Sequence, residues 1–169
     1  MNITSGIYNG RKITAPNPKI TRPTLSKIRM SVFNTLLSIM GSFEKKNFLD
    51  VFGGSGIMGL EALSRGFSDV KVYELNKKTA EIIIKNYNSL GLKPNLLIGD
   101  SCKLIKNEEK IFDVVYVDPP YDSDMYDKII PYANGEIIVI ESDRDINLET
   151  YNVLKQKKYG STIISFIKK

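Results

Sequence analysis

Between residues 47 and 141 short apolar runs alternate with segments of helical period, and no other feature of the chain constrains its fold as tightly. Residues 48–52, 70–75, 95–98, 112–117 and 136–141 read as strands, apolar on both faces. Between them, residues 59–65 read as a helix closed by Gly66, 77–90 as one closed by Gly91, and 125–132 as one closed by Gly135, with a short helix at 102–105. Strands of this kind, separated by helices, form a mostly parallel sheet covered on both faces. The tail, residues 151–157 and 162–167 around Tyr159-Gly160, predicts a terminal antiparallel hairpin. The expected fold is therefore α/β, a Rossmann-like, doubly wound, mostly parallel sheet of seven strands with a carboxy-terminal antiparallel hairpin.

Upstream of this pattern lies a different segment. Asn9-Gly10 predicts a two-residue turn in a short β-hairpin over residues 3–15, followed by a proline-rich link at 15–18. Arg22-Pro23-Thr24 then opens a helix whose apolar positions Leu25, Ile28, Val32, Leu36 and Ile39 recur at helical spacing, with Gly41 as its stop. Residues 1–46 are thus expected to form a hairpin and helix extension packed on a catalytic domain at 47–169. The charge is divided the same way. Residues 1–47 hold eight Lys/Arg against Glu44 alone, and the remainder holds sixteen against eighteen carboxylates. A basic arm on a mildly acidic body suits a protein that holds a polyanion at one edge.

The chain contains no histidine and one cysteine, Cys102. Serine–histidine and cysteine–histidine nucleophiles and His-ligated metals are excluded, so the chemistry must run on carboxylates, amides, aromatic rings or a cofactor. No metal is expected. No apolar stretch approaches the length of a membrane span, and Met1-Asn2-Ile3-Thr4 does not resemble a signal peptide, so the expected location is cytoplasmic.

In a doubly wound sheet, ligands bind beyond the carboxyl ends of the strands where strand order reverses. The candidate residues fall at those ends. Asp50, Phe52, Gly53, Gly54, Ser55 and Gly56 follow the first long strand, Glu74 and Leu75 end the second, Asp100 and Ser101 follow the third, and Asp118-Pro119-Pro120-Tyr121 follows the fourth. Gly54-Ser55-Gly56-Ile57-Met58-Gly59 fits the dinucleotide fingerprint G-x-G-x-x-G, which keeps a nicotinamide oxidoreductase open as a rival. Against it, Asp50 stands where a pyrophosphate would meet like charge and where a cationic amino group would be favoured. Asp118-Pro-Pro-Tyr also has no role in hydride transfer. S-adenosylmethionine satisfies these positions better: the glycine loop and Asp50 face its methionine portion, Glu74 its ribose hydroxyls, and Asp100 with Ser101 its adenine amine.

The segments Leu49-Asp50-Val51-Phe52-Gly53-Gly54-Ser55-Gly56, Gly59-Leu60-Glu61-Ala62-Leu63-Ser64-Arg65-Gly66 and Asp118-Pro119-Pro120-Tyr121 resemble the RsmD family, the bacterial 16S ribosomal RNA guanine-N2 methyltransferases. Gly6, Gly10-Arg11, Arg22-Pro23-Thr24 and Phe33-Asn34 extend the likeness upstream, and residues 135–141 and Lys158-Tyr159-Gly160 extend it downstream. Gly53 stands where the family usually has Ala, and Ser26, Lys27 and Met30 stand where Asp, Arg and Glu are usual. The resemblance implies a monomeric enzyme using S-adenosyl-L-methionine on 16S rRNA, the small subunit or its assembly intermediate. It implies Asp118, Pro119, Pro120 and Tyr121 as the catalytic motif, and makes Arg11, Lys12, Arg22, Thr24, Lys27 and Arg29 candidate RNA contacts. The tetrapeptide is shared with other amino-methyltransferases, including DNA adenine enzymes, so guanine is implied by the resemblance alone. Adenine-N6 methylation and a non-catalytic RNA-binding assembly factor on the same fold stay open.

Overall fold

The computed structural model describes residues 1–16, 25–120 and 124–169. Its strands and helices run β1 (Asn47–Asp50), α2 (Ile57–Ser64), β2 (Asp69–Glu74), α3 (Lys77–Asn88), β3 (Asn95–Ile98), α4 (Ser101–Lys106), β4 (Phe112–Val117), α5 (Met125–Ile129), β5 (Gly135–Ser142), β6 (Asn152–Tyr159) and β7 (Thr162–Lys168), preceded by α1 (Ser26–Met40). A turn of 3-10 helix, Ile130–Tyr132, follows α5, with Pro131 in its first turn. The seven-stranded sheet has the order β3-β2-β1-β4-β5-β7-β6. β1 to β5 pair in parallel, and β7 runs antiparallel between β5 and β6. The chain leaves β1 toward β2 and β3, then returns to β4 on the other side of β1. The strand order therefore reverses between β1 and β4, which opens the crevice there.

Alternate residues of the central strands face opposite ways, and the core divides accordingly. Phe48, Val72, Val114, Tyr116, Val139 and Phe166 pack with Ile28, Val32 and Leu36 of α1, Leu60 of α2 and Ile83 of α3. Leu49, Val115, Val117, Ile138 and Ile140 pack with Ile105 of α4 and Ile129 of α5. Both faces are thus covered, as the apolar strands require. The edge strand β3 is the exception, with Leu97 and Ile98 about half exposed, because α4 has only six residues and leaves that edge open.

Two expectations for the amino-terminal segment need correction. Leu25 and Ile39 were expected on the buried stripe of α1 but are exposed; the stripe is Ile28, Arg29, Val32, Phe33 and Leu36, a row that follows the helix's own pitch. The hairpin pairs Asn2 with Lys12, with the Ile3 and Ile13 N–H groups donating to the Arg11 and Met1 carbonyls, but its loop is longer than a two-residue Asn9-Gly10 turn and bends at Gly6 and Gly10, both at positive φ. Gly6 lies so close to α2 that a Cβ there would come within 1.8 Å of the Ser64 carbonyl oxygen. The proposed opening of α1 at Arg22-Pro23-Thr24 lies outside the described residues.

What fastens this segment to the sheet is a buried ionic network. Glu61 on α2 accepts from Arg29 of α1 at 3.0 Å, from Arg65 one turn on, and from the Thr4 backbone N–H at 2.9 Å and its hydroxyl. Arg29 also donates to the Asn2 carbonyl at 2.7 Å. A carboxylate with so many donors is compensated for its burial, and the ions tie three segments into one arrangement.

Candidate active site at the carboxyl ends of the strands

Three backbone N–H donors hold the glycine loop after β1. The Gly53 N–H donates to the Tyr73 carbonyl at 2.7 Å, Gly56 donates back to Gly53 at 2.7 Å, and Gly54 donates to the Glu74 carboxylate at 2.9 Å. Gly54 and Gly56 have φ of 54° and 76°, a region that suits glycine. Gly53 is required for a different reason: a Cβ there would lie 2.5 Å from Val72 Cγ1 and 2.8 Å from Ile83 Cδ1. Those two side chains occupy the space that a small side chain at this position would need, which accounts for the departure at Gly53. Gly59 is held by Tyr87, whose hydroxyl would meet a Cβ at 2.4 Å without its own displacement.

Four carboxylates, Asp50, Glu74, Asp118 and Glu141, stand at the ends of β1, β2, β4 and β5. Asp50 is sealed beneath the loop, 1% exposed, and neither of its oxygens has a hydrogen-bond partner among the described residues. Burial pushes its pKa up to about 7; the backbone N–H groups of Phe52 and Gly59 oppose this, approaching without reaching hydrogen-bond geometry, and Glu74 adds to the rise. Glu74 is half-buried and accepts from the N–H groups of Gly54 and Asn76. Asp118 is half-buried at the end of β4, with Pro119 buried and Pro120 exposed behind it. Tyr121 lies outside the described residues. Leu75, 66% exposed at the end of β2, offers an apolar plate beside the loop, and Phe52 is half-buried on the same rim.

Asp100 and Ser101 are engaged locally. Asp100 is exposed and caps α4, accepting from the Cys102 N–H at 2.9 Å, while the buried Ser101 hydroxyl donates to the Val51 carbonyl at 2.6 Å. Ser55 is also buried, and its hydroxyl points toward the Met1 sulfur at 3.5 Å rather than outward. Of the basic residues expected at RNA, Lys12 and Lys27 are exposed, and Arg11 is exposed while donating to the Ser89 carbonyl at 3.2 Å. Arg29 is a correction: at 1% exposure its guanidinium is committed to Glu61, so its charge holds the fold together instead of facing solvent. Arg22 and Thr24 lie outside the described residues.

The family profile described as "Conserved hypothetical protein 95" matches residues 1–168. The "Ribosomal RNA small subunit methyltransferase D" of Haemophilus influenzae is 30% identical over 98% of this chain and 91% of its own length. The chain belongs to the ribosomal RNA small subunit methyltransferase D family. Its reaction is methyl transfer with S-adenosyl-L-methionine as donor. The solved structure of yhhF from Escherichia coli, a proposed methyltransferase, is 25% identical, with a TM-score of 0.86 over 100% of this chain and 97% of that one. SMU.776, a protein solved with SAH and 14% identical, shares the fold alone, with a TM-score of 0.64 over 85% of this chain and 48% of its own.

The site fits such a donor. A loop with two glycines at positive φ gives a close backbone approach above Asp50, a buried carboxyl that has no cationic side chain among the groups that shift it and whose ionised, negative form a cationic ligand would favour. A ligand bearing a sulfonium and an ammonium group complements that field.

Sequence reading missed three residues of this site. Tyr116 donates to Glu141 at 2.6 Å, both buried, beside Asp118 at the ends of β4 and β5. Burial, with Glu141, Asp118 and Asp50 all nearby, raises the Tyr116 pKa well above its usual value, so the phenol stays a donor. Asn86 on α3 donates to the carbonyls of Ser55 and Thr14, both at 2.9 Å, and accepts from the Thr14 N–H. Glu141 carried the same signal as the other strand-end carboxylates, a charge closing an apolar run. Asn86 carried none, because one amide on a helix looks the same whether it faces water or the core.

Proposed function

We propose that the protein transfers a methyl group from S-adenosyl-L-methionine to the exocyclic N2 amine of a guanine in 16S ribosomal RNA, acting on the small subunit or an assembly intermediate of it in the cytoplasm. The observation that carries this reading is the position of Asp118-Pro119-Pro120 at the end of β4, directly across the strand-order reversal from the glycine loop after β1. Donor and amine would meet in that crevice.

The bound donor supplies an electrophilic methyl group on sulfur. Residues 53–56 hold its methionine portion through the loop backbone, with Asp50 acting from beneath the loop; Glu74 binds the ribose hydroxyls, and Asp100 the adenine amine. Ser101 contributes by pinning α4 to the end of β1 through the Val51 carbonyl. Phe52 and Leu75 flank the adenosine with apolar surface.

An exocyclic amine is a weak nucleophile because its lone pair is delocalised into the ring. Asp118 and the Pro119 carbonyl accept hydrogen bonds from the two amine N–H groups, which fixes the plane of the amine and turns its lone pair toward the methyl group. Prolines at 119 and 120 place no N–H at these positions that could draw the carbonyls elsewhere. Tyr121 stacks on the base. Rate comes from holding both reactants in line, and the proton released after transfer passes to Asp118 or to water. The base must leave its stack, which favours an unpaired nucleotide.

Labelled S-adenosylmethionine offered with small subunits lacking the modification, followed by nucleoside analysis, tests this assignment. N2-methylguanosine is the expected product; N6-methyladenosine would shift the target to adenine, and no incorporation would remove rRNA as substrate.

A further inference from the structure

The last eighteen residues, 152–169, hold five lysines and no carboxylate side chain. They form β6 and β7, and β6 is a free edge of the sheet. Strand register connects this edge to the site. Val117 pairs with Ile140, so Asp118 falls next to Glu141; Glu141 pairs with Ile164, and Ile164 with Lys157. Asp118, Glu141, Ile164 and Lys157 thus form one row on the face that α1 covers. Three strand spacings separate its ends, about 14 Å.

α1 supplies the wall of this row. Its Ser31 hydroxyl shares a hydrogen bond with the Tyr159 hydroxyl, and Lys157 reaches Ser31 Oγ at 3.4 Å. Lys27, exposed, lies one helical turn before Ser31 on the same side of α1. Lys155, exposed, lies two residues before Lys157 and faces the same way, just past the bulge between Val153 and Lys155. Lys27, Lys155 and Lys157, like most lysines of the chain, form no ion pair among the described residues and are available to an anion. Arg29 of the amino-terminal part is meanwhile committed to Glu61.

We infer that α1 and β6 together hold the RNA strand flanking the target nucleotide, with Lys27, Lys155 and Lys157 at its phosphates while the target base enters beside Asp118. This rests on the rRNA reading above. Flexible ammonium groups suit phosphate contacts, which fix register without reading sequence. Lysines on a free edge also discourage strand pairing between molecules, and the test separates the two roles.

The test uses Lys155→Gln/Lys157→Gln, with Lys155→Arg/Lys157→Arg as the charge-preserving control, in methyl transfer to small subunits across a salt series. The glutamine variant is expected to raise KM for subunits about tenfold at low salt and to flatten the log–log salt dependence by about 1.4, two contacts at ~0.7 each for single-stranded RNA. The arginine variant restores both, and S-adenosylmethionine affinity by calorimetry stays the same. Unchanged KM and salt slope in the glutamine variant would overturn the inference, as would a defect confined to self-association in sedimentation. Absence of transfer by the unaltered protein would instead overturn the rRNA reading itself.

Discussion

Tyr116 donates its buried hydroxyl to Glu141 at 2.6 Å, joining the ends of β4 and β5 directly behind Asp118. The pair sets the spacing of the strand ends on which Asp118, the carboxylate proposed to bind the amine, sits. Tyr116→Phe removes a hydrogen bond to a charged group in a buried place, a loss of about 1–3 kcal/mol. Urea denaturation is expected to show that loss, and kcat is expected to fall several-fold with donor affinity unchanged.

Glu61 compensates two guanidinium groups, Arg29 at 1% and Arg65 at 7% side-chain exposure. Glu61→Gln leaves both without their counter-charge, at a cost of ~3–5 kcal/mol. Denaturant titration is expected to show a lower midpoint. Limited proteolysis is expected to open the amino-terminal segment before the sheet, since Thr4 and Arg29 bond this one carboxylate and Arg29 in turn holds the Asn2 carbonyl.

Asp50 gives a pH dependence whose sign is fixed by the direction of its shift. Its pKa in the fold is raised to about 7 from an ordinary 3.8, so the folded state holds a proton that the unfolded chain has released. This contribution to stability is greatest below about pH 4 and is lost as pH rises toward 7. Asp50→Asn cannot ionise, so the variant is expected to gain thermal stability relative to the parent between pH 4.5 and pH 8. A difference in Tm independent of pH would show that the carboxyl is not protonated in the fold.

Glu74 accepts from Gly54 and Asn76 and so holds the glycine loop as well as being the proposed ribose contact. Glu74→Ala is expected to weaken S-adenosylmethionine binding about 10- to 100-fold in calorimetry, from losing hydrogen bonds to a charged acceptor. Glu74→Gln, which keeps an acceptor for Gly54, is expected to recover part of that affinity.

Much of this was legible in the sequence because it depends on local pattern. The strand at residues 112–117 and the strand-end carboxylates followed from apolar runs closed by a charge. The same local reading failed for Arg29, which counts as a surface cation until the fold places Glu61 beside it. It also failed for Ile39 and Leu25, which fit the helical period but lie beyond the area the sheet covers. Asn86 and the Tyr116–Glu141 pair depend on contacts 72 and 25 residues apart in the chain, which only the topology brings together.

The central claim is that Asp118 orients the amine for transfer and does not bind the donor. It is tested most directly by single-turnover methyl transfer with Asp118→Ala, with donor affinity measured by calorimetry on the same sample. The account expects the rate to fall by about 10²–10³ or more, as for loss of an oriented charge-stabilising group, with affinity within a few-fold of the parent. Transfer at near-parental rate, or loss of donor binding that accounts for the whole defect, would contradict it.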